Sequence, residues 1–306
     1  MNNKFSISLS NHLINGYIDC TLPQRRLIYS ALAYLNPDED MFKDMTHLEV
    51  INTCKKDHEL CQVRIPLGDF KSHWQLKSKS TIIETERVAE ELLSLYWNVE
   101  DLESSNDKMV RIIKSIEPAD YGYLRLQFTP EMMVYLVQPQ KHSKGYTTIP
   151  YSFLPRKKSL YSLLFLERCL QKLSYTCKGG KLKSDTAIFE HTIENLKSRF
   201  SLDNKDIQFR DFKITTLNKI EKEINSIESC KLTYEVIKRR DSRTKRPKAY
   251  KIRFTFQSDK YVKFKSTIQE SLEMVNEDEV PSTNYDNLPL SQPIEQYSLD
   301  YDDIPF

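Results

Sequence analysis

Two successive runs of helical periodicity, each closed by a β-hairpin, and a terminal stretch dominated by Ser, Asn, Pro, Glu and Asp predict an α+β chain. The expected architecture is two tandem winged-helix domains followed by a disordered acidic C-terminal tail. Its 306 residues suffice for two cores of ordinary size, and 39% apolar content can fill them. The expected boundaries are 1–143 for the first winged-helix domain, 144–258 for the second and 259–306 for the tail.

The first helix is expected near Thr21 and Pro23, a cap residue and a proline suited to the first turn, with Leu27, Ile28, Ala31 and Leu35 at helical spacing until Asn36-Pro37 ends it. A charged stretch read as loop leads to the alternating strand Gln62 to Ile65 and a small helix over Leu67 to Trp74. A longer helix follows, with Ile83, Val88, Leu92 and Leu95 on one side. Strands Met109 to Ile116 and Tyr121 to Phe128, joined by Glu117-Pro118-Ala119-Asp120, read as a wing. Thr129-Pro130-Glu131 starts a short helix that fades at Gln138-Pro139, and the polar run Gln140 to Gly145 is a linker.

The second half repeats that order. Helices are expected over Ser159 to Leu173, about Asp185 to Phe200 and about Phe209 to Ile227, followed by strands Lys231 to Ile237 and Ala249 to Phe256. No sequence identity joins the two halves, so the repeat is one of order. After about Ser258 the pattern lapses, and the segment from Asn276 onward buries too little apolar surface to offset its ordering entropy.

Charge is distributed unevenly. The net +2 divides into ten acidic residues and no Lys or Arg from Ser266 to Phe306, and 45 basic against 33 acidic residues before it, a net +12. Such a body attracts polyanions, while the tail screens that attraction or addresses a basic partner. Six cysteines without a C-x-x-C pair suit reduced, buried thiols. Cys54, His58 and Cys61 could meet on a helix, but no fourth ligand stands at a finger spacing and no metal is assigned. No stretch approaches the roughly 18 apolar residues of a membrane span, and Met1 to Ser10 lacks the hydrophobic block of a signal peptide, so a cytoplasmic location is expected. Signals for catalysis are absent: there is no G-x-x-x-x-G-K-[ST] loop, 6 glycines supply phosphate cradles poorly, and no histidine pair of the kind a metal-dependent nickase uses is present. No enzyme activity and no cofactor are expected.

DNA is the expected ligand. In the helix Phe209 to Ile227, Leu217, Ile220, Ile224 and Ile227 form an inward stripe, while Lys213, Thr215, Asn218, Lys219 and Lys222 are free for base edges and phosphates. Beside it, seven of the eleven residues of the hairpin loop 238–248 are basic: Lys238, Arg239, Arg240, Arg243, Lys245, Arg246 and Lys248. Packed together they repel one another unless phosphates neutralise them. In the first domain, Lys77, Lys79, Ser80 and Thr81, with Thr85 and Arg87 nearby, surround a helix start whose backbone N–H groups favour phosphate. A capped surface helix would account for these as well.

The segments Leu22-Pro23-Gln24-Arg25-Arg26-Leu27-Ile28, Leu126-Gln127-Phe128-Thr129-Pro130 and Tyr151-Ser152-Phe153-Leu154 to Leu160-Tyr161-Ser162-Leu163-Leu164 resemble initiator replication proteins of theta-replicating, iteron-bearing plasmids. So do Phe209-Arg210-Asp211-Phe212-Lys213, Glu223-Ile224-Asn225 and Ile252-Arg253-Phe254-Thr255-Phe256. The weight lies in the order of these degenerate motifs. The resemblance implies two winged-helix domains, binding to direct repeats in double-stranded origin DNA with the helix Phe209 to Ile227 as reader, and repression of its own gene as a homodimer formed through the first domain. The chain departs from that pattern at Pro155-Arg156-Lys157-Lys158 and in its long acidic tail.

The last residues are similar to the C-terminal tip of bacterial single-stranded DNA-binding proteins. That similarity implies docking of Asp302, Asp303, Ile304, Pro305 and Phe306 into a pocket on a host replication protein, such as primase or the clamp loader's accessory subunit. Gln296-Tyr297-Ser298-Leu299-Asp300-Tyr301 also loosely resembles the peptide that binds the sliding clamp. The expected function is therefore a plasmid replication initiator that binds repeated origin DNA and recruits host proteins; a stand-alone winged-helix repressor is the alternative.

Overall fold

The computed structural model describes residues 6–35, 39–42, 44–76, 81–102, 106–120, 122–137, 145–154, 159–178, 181–182, 184–200, 202, 207–240 and 247–267. The chain divides into the units Met1–Thr267 and Ile268–Phe306, and the second lies outside the described residues, as do the tail expectations placed on it.

Strand β1 (Ser6–Ser10), helix α1 (Asn11–Asn15) and β2 (Tyr17–Ile18) precede α2 (Leu22–Tyr34), whose start is the expected one. Gln24 closes a capping box with Thr21, accepting the Thr21 N–H at 2.7 Å, and Pro23 occupies the first turn. A short α3 (Glu39–Phe42) follows, and then α4 (His47–Lys56) where a loop was expected. Thr46 and Glu49 form a second capping box, and Val50 and Cys54, four residues apart, are fully buried. Next come β3 (Gln62–Pro66), α5 (Leu67–Trp74), α6 (Thr81–Leu92), β4 (Tyr96–Glu100), β5 (Asp107–Arg111), β6 (Ile113–Asp120), β7 (Tyr123–Phe128) and α7 (Pro130–Val137).

The expected first wing is displaced. Met109 to Arg111 belong to β5, which pairs with β4 in the sheet β2-β4-β5, and the chain changes sheets at Ile112. The reversal between β6 and β7 falls at Gly122, whose φ of +82° suits glycine, rather than over residues 117–120. Pro118 is accommodated because β6 is the edge of the sheet β3-β7-β6.

The second half opens with β8 (Tyr146–Pro150) and runs through α8 (Leu160–Ser174), the two-residue strands β9 (Cys177–Lys178) and β10 (Lys181–Leu182), then β11 (Thr186–Thr192) and α9 (Ile193–Arg199). The single helix expected over Asp185 to Phe200 is therefore half strand. Ala187 and Phe189 alternate inward, and the Thr192 hydroxyl then caps α9 by accepting the Asn195 N–H at 3.1 Å. Helix α10 (Phe209–Phe212), a π-helical turn (Lys213–Leu217), α11 (Asn218–Ile224), β12 (Lys231–Arg240) and β13 (Pro247–Gln257) complete the module. Helix, strand, helix, helix, strand, strand thus occurs twice, with sheet orders β3-β7-β6 and β11-β13-β12. These are the two winged-helix modules. A further helix, α12 (259–267), extends past the expected boundary near Ser258, with the wholly buried Tyr261 donating to the Thr148 carbonyl at 3.0 Å.

The two halves of the chain are also joined by direct contacts. β1 pairs antiparallel with β8, burying Ile7 and Leu9. Ser30 Oγ of α2 hydrogen-bonds Tyr151 Oη at 2.7 Å while accepting from Trp74 Nε1 at 2.9 Å. Arg199 of α9 donates to the Ile14 and Asn15 carbonyls at 2.8 and 3.0 Å, satisfying the C-terminal end of α1. Deepest of all, Arg25 Nη2 of α2 donates to Glu167 Oε1 of α8 at 2.6 Å, with the guanidinium 4.8 Å from the Tyr29 ring and 4.5 Å from the Trp97 ring.

Gly16 allows the first module's sheet to close, because a Cβ there would lie 2.0 Å from the Asn98 carbonyl oxygen. Since backbone rather than a side chain would have to yield, Gly16→Ala is expected to destabilise the protein by about 1–3 kcal/mol, measured as a lowered urea midpoint. An unchanged midpoint would show that β2 and β4 can separate freely. Among the described residues no helix is long and apolar enough to cross a membrane.

Candidate nucleic-acid interface

The expected reader in the second module is an interrupted helix. In a plain α-helix residues five apart diverge by about 140°, yet Phe212 and Leu217 are both buried, at 0% and 1% exposure. The π turn Lys213–Leu217 reconciles them by adding a residue to one turn. As a result Lys213, Ile214 and Thr215 are exposed in succession, followed by Asn218, Lys219 and Lys222. Ile220 and Ile224 complete the inward stripe, whereas Ile227 lies beyond the helix and is only partly buried.

The C-terminal end of the helix is fastened twice. Glu223 Oε2 accepts the Ser159 N–H and hydroxyl, both at 2.8 Å, and so caps α8 from the neighbouring helix. Burial would push the Glu223 carboxyl up, but the serine hydrogen bonds, with Lys219 nearby, hold it below its ordinary value. Asn225 accepts the Leu232 N–H at 2.6 Å and donates to the Leu232 carbonyl at 3.0 Å, fastening the helix end to the wing.

Two expected reader residues are already engaged. The Thr215 hydroxyl donates to the Asp211 carbonyl at 2.7 Å, a back-bond within the helix. Asn218 Oδ1 accepts from Tyr234 Oη of β12, leaving the Asn218 amide NH₂ as the outward group. Among the described residues, Lys213, Lys219 and Lys222 form no ion pair with a carboxylate.

The wing is a continuation of β12 and β13. A register shift between Ile237 and Lys238 marks a bulge, which increases strand twist and re-aims the outer part of the hairpin. Lys238, Arg239 and Arg240 begin at that point, all exposed, and Lys248 returns opposite Arg239. The Arg239 guanidinium stands over the Tyr250 ring at 5.6 Å. Arg243, Lys245 and Arg246 lie outside the described residues. Within the three-stranded part of the sheet Arg253 donates to Glu190 at 2.8 Å and Glu235 at 2.7 Å, so that cation is already neutralised.

In the first module Lys77, Lys79 and Ser80 lie outside the described residues, as does the Thr81 side chain at the start of α6. Thr85 is buried, and Arg87 donates to Glu91 at 2.5 Å, so neither adds to an open cationic face there. Cys54 and Cys61 are fully buried, and among the described residues no three His, Cys, Asp or Glu side chains are grouped to hold a metal.

Sequence reasoning missed Ile214, Tyr234 and the cap at Glu223. Tyr234 was accessible to it, since period-two reading of β12 places Leu232, Tyr234 and Val236 on one face.

Comparison with known proteins agrees with this architecture. Residues 6–170 match the family described as initiator replication protein, WH1, and residues 192–256 match that described as initiator Rep protein, WH2. The crystal structure of Pi initiator protein in complex with iteron DNA superposes with a TM-score of 0.62 at 20% identity, covering 85% of this chain and 100% of that chain. No curated sequence matches significantly.

Proposed function

Because the chain belongs to the initiator replication protein family, with that family's two winged-helix modules in order, we propose that it is a plasmid replication initiator that binds repeated sequences in double-stranded origin DNA. The observation that carries this reading is the open basic face of the second module: Lys213, Asn218, Lys219 and Lys222 on the helix, continued by Lys238, Arg239, Arg240 and Lys248 on the bulged wing. Arg243, Lys245 and Arg246 add to the same wing by sequence. Donors on a helix of this kind suit base edges in the major groove, and a basic wing suits phosphates or the adjacent minor groove. The structural likeness to an initiator solved on iteron DNA supports the same ligand class.

Footprinting on DNA next to the gene tests the reading. Several regularly spaced protected repeats are expected; a lone operator palindrome would make the protein a repressor instead. Repression of its own gene, as a dimer formed through the first module, is part of the same proposal. Lys77, Lys79, Ser80 and Thr81 are proposed as phosphate contacts of that module.

The acidic tail is proposed to recruit host replication enzymes through Asp302, Asp303, Ile304, Pro305 and Phe306. Phe306 would fill an apolar slot, and Asp302 and Asp303 would meet a basic rim. Deleting Phe306 is expected to leave repeat binding unchanged while plasmid copy number falls. A synthetic peptide of residues 291–306 should lose tip-pocket binding when its C-terminus is amidated, whereas clamp binding should depend on Gln296 and Leu299 and ignore the amide. Normal copy number after the deletion would reduce the tail to an acidic solubilising extension.

A further inference from the structure

The centre of the reader's outer face is apolar. Ile214 is 55% exposed, in the π turn between the exposed Lys213 and Thr215. It is there because of the extra residue in that turn, which lets Phe212 and Leu217 both remain in the core while the three residues after Phe212 face out. One turn further along, Asn218 is held differently from a free asparagine. A free side-chain amide offers a donor and an acceptor together, the pattern that pairs with adenine N6 and N7 in the major groove. With one lone pair of Oδ1 engaged by Tyr234 Oη and the amide held by that bond, Asn218 offers its NH₂ donors first, and the paired donor–acceptor approach to adenine is hindered.

Taking this helix as the major-groove reader, as proposed above, we propose that Ile214 reads the C5 methyl group of a thymine and that Tyr234 biases Asn218 toward bases presenting acceptors without a neighbouring donor. Those bases are guanine, through N7 and O6, and thymine, through O4, whereas adenine offers N7 alone and leaves its N6 donor unpaired. Tyr234 is thus a positioning residue, a wing side chain that sets the chemistry of the helix beside it. Lys219 and Lys222, which are donors only, strengthen the bias toward acceptor-bearing edges.

The test begins with selection of bound duplexes from a random-sequence library by the full-length protein, followed by titration of the selected duplex. Each thymine is then replaced in turn by deoxyuracil, which removes the methyl group alone. The wild type is expected to lose about fourfold in affinity at one thymine, the worth of one buried methyl group, and Ile214→Ala is expected to bind the thymine and uracil duplexes equally. If both proteins discriminate alike at every thymine, Ile214 is not the reader.

Tyr234→Phe retains the ring and frees Asn218 Oδ1. At the base pair assigned to Asn218, acceptance of adenine relative to the preferred base is expected to rise about tenfold, and Asn218→Ala should abolish that gain. An unchanged preference would overturn the role of Tyr234. Unaltered thermal midpoints of Ile214→Ala and Tyr234→Phe would separate these effects from misfolding, and a variant that melts early is replaced by Ile214→Val or by Tyr234→Leu, which likewise lacks the hydroxyl. A library that yields no sequence preference would overturn the reading of this helix as a sequence reader altogether. A clear consensus indifferent to both substitutions would overturn the present proposal alone.

Discussion

Replacing Arg239, Arg240, Arg243 and Arg246 together by glutamine is expected to weaken binding to every DNA sequence by about a thousandfold at 0.15 M salt. If each guanidinium neutralises one phosphate, losing four contacts lowers the slope of log affinity against log salt by about 3.6, and that slope sets the size of the loss. Single replacements should each lower the slope by about 0.9, a quarter of that fall. Arg253→Gln provides the control, because its guanidinium already bridges Glu190 and Glu235 across three strands and releases no counterion when DNA arrives. Titrations of labelled duplex between about 50 and 200 mM salt measure both variants. An unchanged slope in the fourfold variant, or an equal fall in Arg253→Gln, would remove the wing as a phosphate clamp.

Glu167→Ala is expected to be the most damaging single change to stability, at about 3–5 kcal/mol. It would leave the Arg25 charge between Tyr29 and Trp97, with 1% side-chain exposure and no counter-charge, at the point where α2 meets α8. Burial holds the Glu167 carboxyl above its ordinary value even against the pull of Arg25, which limits that rise. Removing both charges is a different matter. Arg25→Met with Glu167→Leu should recover most of the loss, since apolar side chains of similar volume replace a buried pair at little net cost. Urea unfolding of the two singles and the double would show this as a coupling energy; singles that cost less than about 1 kcal/mol would mean that water reaches the pair.

Much of this architecture was legible in the residues. Thr21 and Pro23 marked the start of α2 because capping chemistry is local, and the stripe Leu217, Ile220 and Ile224 marked the reader because its period is helical. What escaped was set by partners far away in sequence. Thr186 to Thr192 reads as helix only while its neighbour β13 is unknown, and the pairing of Phe189 with Phe254 decides for strand. The loop expected before Gln62 hid a capping box at Thr46 and Glu49, a local signal that charge obscured. At the site, the basic residues were evident from composition, but the bond that occupies Asn218 and the turn that exposes Ile214 arise from a cross-element contact and a core spacing of five, which a 3.6-residue template does not anticipate.

The pairing of β1 with β8 has a consequence for how the protein is made. Ser8 and Thr148 face one another across 140 residues of sequence. At ordinary rates of translation, about 5–20 residues per second, β1 leaves the ribosome about 7–30 s before its partner does. During that interval Ile7 and Leu9, later buried, belong to a strand with a free hydrogen-bonding edge, the kind of segment that pairs with the wrong chain. The first module can condense in that time around α2 and β3-β7-β6, but its opening strand must wait. Pausing after the linker would lengthen the exposure, so the yield of folded protein should respond to the speed of synthesis between residues 10 and 150 more than to the speed beyond them.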